Sequence, residues 1–333
     1  MGKLATIELQ KLLSCIKKDS RVIVPPMPGF DAGVHLIGDE YLVVATDPCI
    51  GVPDEWFGWL LINYAASDVA LFGSKPEFCT ITLLGPIGTT ASTFQKLMKQ
   101  ICTAADELDI AIVRGHTGTY FGLSTVLGVC TAYGTVAKEK LITPGNAKPN
   151  DLILYTKSIG LETLVNFTLT HKTQAERLFG IKTTENLSSQ VHLQSCVKEA
   201  LSLTEILGVN ALHDATEGGL VAALNEMAEA SKLGFSVEFD MIPISGEMLM
   251  LQKTYSLNDE QVLSASSTGS VIIAADAEVR AEIEKRLAKI GVATHVIGKF
   301  TQDKSRTLVR KGKGKRFPEV PVDPYERILS GKV

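Results

Sequence analysis

Two successive domains, each a β-sheet covered by helices, are what this sequence predicts. Three observations lead there. Short strand-type runs alternate with longer helix-type runs from one end of the chain to the other. A stretch rich in turn formers, Pro144-Gly145-Asn146-Ala147-Lys148-Pro149-Asn150-Asp151, divides the 333 residues into two parts. Hydrophobic residues make up 45% and charged residues 21%, enough apolar material for a packed core in each part. The expected domains are 1–150 and 151–333.

Taken in order, residues 5–17 carry apolar positions at helical spacing. Strands follow at 34–37 and 41–45, separated by the turn Gly38-Asp39-Glu40. A long helical stretch, 55–72, is stopped by Gly73 and Pro76. Residues 77–84 alternate like a strand, 90–108 form a second helix, and a short strand, 110–113, runs into Arg114-Gly115-His116-Thr117. A long strand, 123–136, closes the first part. The second begins with a strand at 152–156, followed by helices over about 160–180 and 190–206. A strand then leads into His213-Asp214, and a helix starts near Gly218. Strand 235–239, helix 246–253, strand 270–275, helix 277–290 and strand 294–299 complete the chain.

Composition excludes several classes. A net charge of −4 gives no reason to expect nucleic-acid binding by the chain as a whole. The exception is a run from Lys304 to Arg316 with seven basic residues, which reads first as a solvated surface and second as a polyanion contact. The six cysteines are scattered without a CxxC pair, which argues against a zinc site or a disulfide scaffold. No signal-peptide pattern opens the chain. The most apolar run, 56–73, carries Asp68 and is too short and polar for a membrane span. A cytoplasmic, non-membrane protein is expected.

Five polar residues stand in apolar or glycine-rich surroundings: Asp31, Asp47, Asp68, His116 and Asp214. Asp68 is the most informative, because a carboxylate inside an apolar helix is costly unless a cation or hydrogen bonds compensate. It binds a metal or caps a neighbouring loop. Asn63 lies about one and a half turns away on the same helix. Asp47 ends an apolar strand before Pro48, where a ligand group or a simple Asp-Pro turn would both fit. Carboxylates at separate strand and helix ends suit Mg²⁺, a hard ion that takes oxygen ligands. His213-Asp214-Ala215-Thr216-Glu217-Gly218-Gly219 is a strand-to-helix junction; N-capping and phosphate binding explain it equally well. The small-residue loop 265–270 is ambiguous in the same way. Neither a GxxxxGK[ST] nor a GxGxxG pattern is present, so P-loop and Rossmann readings fail.

In this order, these segments resemble the AIR-synthase-like superfamily, which includes aminoimidazole ribonucleotide synthetase, HypE, thiamine-monophosphate kinase and selenophosphate synthetase. The matching residues are Asp31 with Gly38-Asp39, Thr46-Asp47, Asn63 with Ser67-Asp68-Val69-Ala70 and Gly73-Ser74-Lys75-Pro76, Gly115-His116-Thr117, the Asp214 segment, and Leu257-Asn258-Asp259 with 265–269. The Asn63–Pro76 block and the Asp214 segment look most like HypE. The resemblance implies a two-domain α+β fold: an N-terminal dimerising sheet with helices on one face and a C-terminal α/β layer. It further implies a homodimer that binds ATP and Mg²⁺. Asp31, Asp47, Asp68 and Asp214 would hold the metal, and Asn63, Thr117, Gly218 and Gly219 would line the phosphate site. His116 and Asp214 are the residues assigned to catalysis. The implied chemistry is phosphoryl transfer from ATP to an amide, carbamoyl or phosphate oxygen of a small substrate.

The departures also carry information. HypE typically ends in a tail cysteine that carries a carbamoyl group; here the last cysteine is Cys196, so that reaction on its own tail is not expected. His116 stands where thiamine-monophosphate-kinase-like members have Asp. Imidazole suits Mg²⁺ poorly, which leaves His116 to contact phosphate or substrate or to serve as a general acid or base. Alternatives to the enzyme reading are a non-catalytic nucleotide-binding dimer that assists another maturation protein, and a thiamine-monophosphate-kinase-like kinase.

Overall fold

The computed structural model describes residues 6–331; residues 1–5 and 332–333, at the ends of the two expected domains, lie outside the described residues. The chain divides into two compact units, one spanning Gln10–Leu141 and the other running from Ile142 onward together with the described residues before Gln10.

After α1 (Thr6–Leu13), the first unit contains β1 (Val22–Val24), β2 (Ala32–Ile37), β3 (Glu40–Cys49), α2 (Phe57–Leu71), β4 (Phe78–Pro86), α3 (Ala91–Leu108), β5 (Ala111–Tyr120) and β6 (Leu127–Val136). Its six-stranded sheet has the order β1-β2-β3-β6-β4-β5. Only the β4–β5 pairing is parallel. The β2–β3 hairpin turns through Gly38 at φ +56°, a left-handed conformation glycine adopts without a Cβ clash. Strand β6 alternates strictly, with Gly128, Cys130, Ala132, Gly134 and Val136 on its buried face.

The helices cover that face. Helix α2 is buried along its whole length except at Tyr64. Leu60, Leu61 and Ile62 are fully excluded from water, a gain of about 1.5–3 kcal/mol each over an exposed position. Helix α3 starts where the Thr90 hydroxyl caps the Thr93 N–H and ends at Asp109 in left-handed geometry, with Leu97, Ile101, Ala104 and Ala105 forming its inner stripe. The two helices are tied by the Gln100 carboxamide, which accepts from the Gly58 N–H at 2.8 Å, and by the Trp59 indole, which donates to Glu107 at 3.0 Å.

The second unit contains β7 (Leu152–Thr156), α4 (Leu161–Thr170), α5 (Lys172–Phe179), α6 (Ile181–Ser188), α7 (Val197–Leu203), β8 (Val209–Asp214), α8 (Gly219–Ser231), β9 (Gly234–Glu238), α9 (Gly246–Thr254), α10 (Asp259–Leu263), β10 (Val271–Ala275), α11 (Arg280–Lys289), β11 (Thr294–Thr301), β12 (Arg306–Arg310), β13 (Lys313–Arg316) and α12 (Tyr325–Leu329). The seven-stranded sheet runs β13-β12-β9-β11-β7-β10-β8, with only β9–β12 parallel. Strand β10, Val-Ile-Ile-Ala-Ala, is buried at every position, as a central strand covered on both faces must be. Its core joins Tyr155, Phe235 and Phe300 from the strands to Phe167 of α4 and Leu220, Leu224 and Met227 of α8.

One sequence expectation is revised and two are extended. The segment expected as one helix over 160–180 is two helices, with a third following; the chain turns at His171 and at Gly180, whose φ is +84°. The short strand expected at 110–113 is longer: residues 114–117, into which it runs, continue β5. The basic run folds as the β12–β13 hairpin, with β13 exposed at every residue as a solvated surface would be, and four of its seven basic side chains meet acidic partners. Arg306 donates to Asn225 and Glu229, Arg310 pairs with Asp259 at 2.6 Å and lies 4.1 Å from the Phe239 ring, Lys315 approaches Glu260 at 3.9 Å, and Arg316 pairs with Glu319. Among the described residues no helix is long and apolar enough to cross a membrane.

Candidate functional site

In the first unit, Asp31 immediately precedes β2 and is half-buried; the preceding ring, Phe30, packs edge-on against Phe72 at 6.3 Å. Asp47 lies on β3, opposite Cys130 of β6, on the face that also carries Ala45 and Cys49. The Cys130 thiol is pushed up first by its hydrogen bond with Cys79, then by burial, and the negative Asp47 adds to the rise. Asp68 is 6% exposed and Asn63 1%, both on α2. The Asn63 amide donates to the Trp59 carbonyl one turn back at 2.9 Å.

His116 and Thr117 occupy β5, an edge strand exposed at every residue except the half-buried Gly118. The His116 Nε2 lies 2.6 Å from the hydroxyl of Tyr120, four residues further along the strand and on the same face. His116 is thus held by its own strand.

In the second unit, β8 delivers His213 and Asp214 to its C-terminal end, each 2% exposed. The His213 Nε2 lies 3.0 Å from a Glu226 carboxylate oxygen on α8, and Nδ1 lies 3.6 Å from Asp214. Glu226 fixes the ring orientation, and the imidazole sits between two carboxylates. The chain then turns through Gly218 at φ +82° and Gly219 at φ +54° into α8. A Cβ on Gly219 would fall 2.6 Å from the Ala265 carbonyl oxygen and 2.8 Å from that of Leu263. Only glycine fits between this turn and the 264–270 loop.

That loop is tightly built. The Ser267 N–H donates to the Ala215 carbonyl at 2.9 Å, and the Ser267 hydroxyl accepts from the Gly160 N–H at 2.7 Å. The buried Glu162 accepts from the Ser266 and Thr268 hydroxyls. Burial pushes the Glu162 carboxyl up to about 7; the two hydroxyls oppose the rise, and the negative Asp323 and Glu217 add to it. Lys157, itself at φ +59°, is buried and donates to the carbonyls of Leu193, Ser195 and Gly269.

The residues named from sequence therefore fall into two sets. Asp31, Asp47, Asn63, Asp68, His116 and Thr117 belong to the first unit, and Asp214, Gly218 and Gly219 to the second. Reading the sequence missed Glu226, Glu162 and Asp323. Glu226 and Glu162 have partners 13 and 104 to 106 residues away, and Asp323 joins Gly218 and Ser266 across 105 and 57 residues, links that no local pattern shows.

Family comparison decides the lineage. The model of the AIR synthase related protein N-terminal domain matches residues 29–136, and that of the C-terminal domain matches residues 148–311. The chain belongs to the AIR synthase related protein family. Among its relatives, a Methanocaldococcus jannaschii protein bearing the name hydrogenase expression/formation protein is 29% identical over 306 residues, covering 90% of this chain and 88% of the relative. The carbamoyl dehydratase HypE of Cupriavidus necator is 25% identical over 246 residues, covering 71% and 67%. A crystal structure of the hydrogenase maturation protein HypE in complex with ATP superimposes with a TM-score of 0.72 at 18% identity, covering 95% of this chain and 91% of that one. That structure shares the fold found here.

Proposed function

We propose that this AIR synthase related protein is an ATP- and Mg²⁺-dependent enzyme of the HypE type. It would transfer the γ-phosphoryl group of ATP to an amide, carbamoyl or phosphate oxygen of a small substrate. The observation that carries the reading is Asp68, a carboxylate 6% exposed on a helix that is otherwise almost wholly apolar. Such a group is retained at a cost of several kcal/mol unless a cation or hydrogen bonds offset it.

The donor set fits magnesium. Asp31, Asp47 and Asp68 of the first unit and Asp214 of the second offer hard carboxylate oxygens, the ligand type Mg²⁺ takes. Bound metal would neutralise phosphate charge during transfer. The residues' own contributions are distinct. The Gly218-Gly219 turn presents backbone at the start of a 13-residue helix, where anions are favoured. Asn63 and Thr117 supply neutral polar contacts. His116 is the candidate to take the proton from the attacking group, with Tyr120 orienting its ring. In the balanced step, the acceptor oxygen forms a bond to the γ-phosphorus as the bond to the bridging oxygen breaks, and ADP leaves.

The exposed edge of β5 supports a homodimer. A ten-residue unpaired edge carrying Ile112, Val113 and Tyr120 is an association surface unless it is covered. The name of the M. jannaschii relative supports a role in hydrogenase maturation, with another maturation protein as partner.

The test is calorimetric titration of the full chain with a non-hydrolysable ATP analogue, with and without Mg²⁺. Magnesium-dependent binding is expected, and would open a screen of amides, carbamoyl compounds and phosphates as acceptors. Binding without turnover of any acceptor would favour the nucleotide-binding assembly reading. Absence of binding in both conditions would overturn the assignment.

A further inference from the structure

Two loops in the second unit are held together by a third segment. Residues 318–324 cross them as an extended strap containing Pro318, Pro321 and Pro324. The strap is anchored on one side by Phe317, 1% exposed, and on the other by Ile328 of α12, fully buried. Asn166 donates to the Tyr325 hydroxyl at 2.8 Å, and the His171 Nε2 lies 2.8 Å from the Leu329 carbonyl.

At its centre, Asp323 accepts from the Gly218 N–H at 3.0 Å through one oxygen. Through the other it accepts from the Ser266 N–H at 3.3 Å and the Tyr325 N–H at 2.9 Å. Val322 N–H donates to the Ser264 hydroxyl at 3.1 Å. Pro321 closes on the turn so tightly that a Cβ on Gly218 would fall 2.9 Å from it. The groups that face Asp323 electrostatically are Glu217 and Glu162, both acidic. A tail carboxylate thus sits among other carboxylates, held by backbone donors at the mouth of α8.

These are the donors that an anionic ligand at the Gly218-Gly219 turn would use. We propose that the 318–324 strap is an autoinhibitory contact in which the Asp323 carboxylate occupies the Gly218 and Ser266 N–H donors, and that the phosphate groups of a bound nucleotide displace it. This rests on the reading of the Gly218-Gly219 turn as a phosphate site. The hydrophobic anchors stay in place while the strap between them lifts. Apparent nucleotide affinity is reduced by the fraction of molecules with the strap closed.

The experiment uses the full chain and a non-hydrolysable ATP analogue with Mg²⁺. Hydrogen exchange is followed for residues 318–324 with and without the analogue, and calorimetry compares the parent with Asp323→Ala and with Glu217→Gln. The latter removes a nearby charge while leaving the Asp323 contacts in place. Expected are faster exchange in the strap on binding, and affinity about tenfold higher in Asp323→Ala, within the usual range for coupled sites, with a smaller change in Glu217→Gln. If the parent binds the analogue but strap exchange is unchanged, or both variants tighten binding equally, the strap is a structural brace and the proposal falls alone. If the parent binds no analogue, the phosphate-site reading falls and takes the strap with it. Should Asp323→Ala fail to fold, the exchange measurement on the parent decides.

Discussion

The ammonium of Lys157 lies 2.7 Å from a carboxylate oxygen of Glu199, with the side chains 4% and 8% exposed. The same ammonium donates to three backbone carbonyls, so one charged group pins the 193–195 turn to the 264–270 loop. Removing one partner of a buried pair leaves the other charge without compensation. Lys157→Met is expected to destabilise the fold by about 3–5 kcal/mol, read by urea denaturation. The Lys157→Met/Glu199→Met double variant should lose less than the single one. Equal losses would mean that the carbonyl contacts, and not the ion pair, dominate.

Glu162 makes stability depend on pH. Its folded carboxyl titrates near about 7, above the ordinary value of 4.5. The folded state therefore binds more protons than the unfolded state between those values. The contribution is fully present below about 4.5 and is lost as pH rises to about 7. Glu162→Gln should flatten the stability profile across this window, measured as melting temperature at stepped pH. A parent profile with no fall there would refute the buried-acid assignment.

Asp68→Asn and Asp214→Asn should each raise the dissociation constant for Mg²⁺ and the ATP analogue by about tenfold or more, equivalent to about 1.4 kcal/mol. Their circular dichroism should match that of the parent. Parent-like binding in both variants would remove these residues from the metal site.

Gly219→Ala combines a left-handed backbone with a Cβ 2.6 Å from the Ala265 carbonyl oxygen. Left-handed geometry costs roughly 1–2 kcal/mol for a residue with a Cβ, and the contact adds to it. A drop in melting temperature is expected. Gly246→Ala, whose Cβ would meet nothing within 4 Å, is the matched control.

Val113 is 58% exposed on the β5 edge. A lysine there should block edge pairing. Val113→Lys is therefore expected to run as a monomer in size-exclusion chromatography with light scattering, and the parent as a dimer.

Much of the secondary structure was legible in the sequence for plain physical reasons. The apolar run 152–156 is β7, the 90–108 helix begins at its Thr90 cap, and Gly73 stops α2. Strand β5 was cut short because Arg114-Gly115-His116-Thr117-Gly118 has no apolar alternation; an exposed edge requires none. The β12–β13 hairpin was hidden because its lysines and arginines read as solvent-facing, whereas their partners Asp259, Glu229 and Asn225 come from distant helices. Candidate residues such as Asp68 and Asp214 stood out because a carboxylate in apolar company is conspicuous in one dimension. Asp323 did not, since Val322-Asp323-Pro324 looks like any surface turn until Gly218 and Ser266 are brought beside it.

The strap also bears on how the chain is made. Gly218 and Asp323 are separated by 105 residues. While a ribosome is still adding the strands beyond α8, the Gly218-Gly219 turn has no carboxylate across it. At the usual pace of about 5–20 residues per second, that interval lasts roughly 5–20 s. The nascent domain passes through it with that turn uncovered.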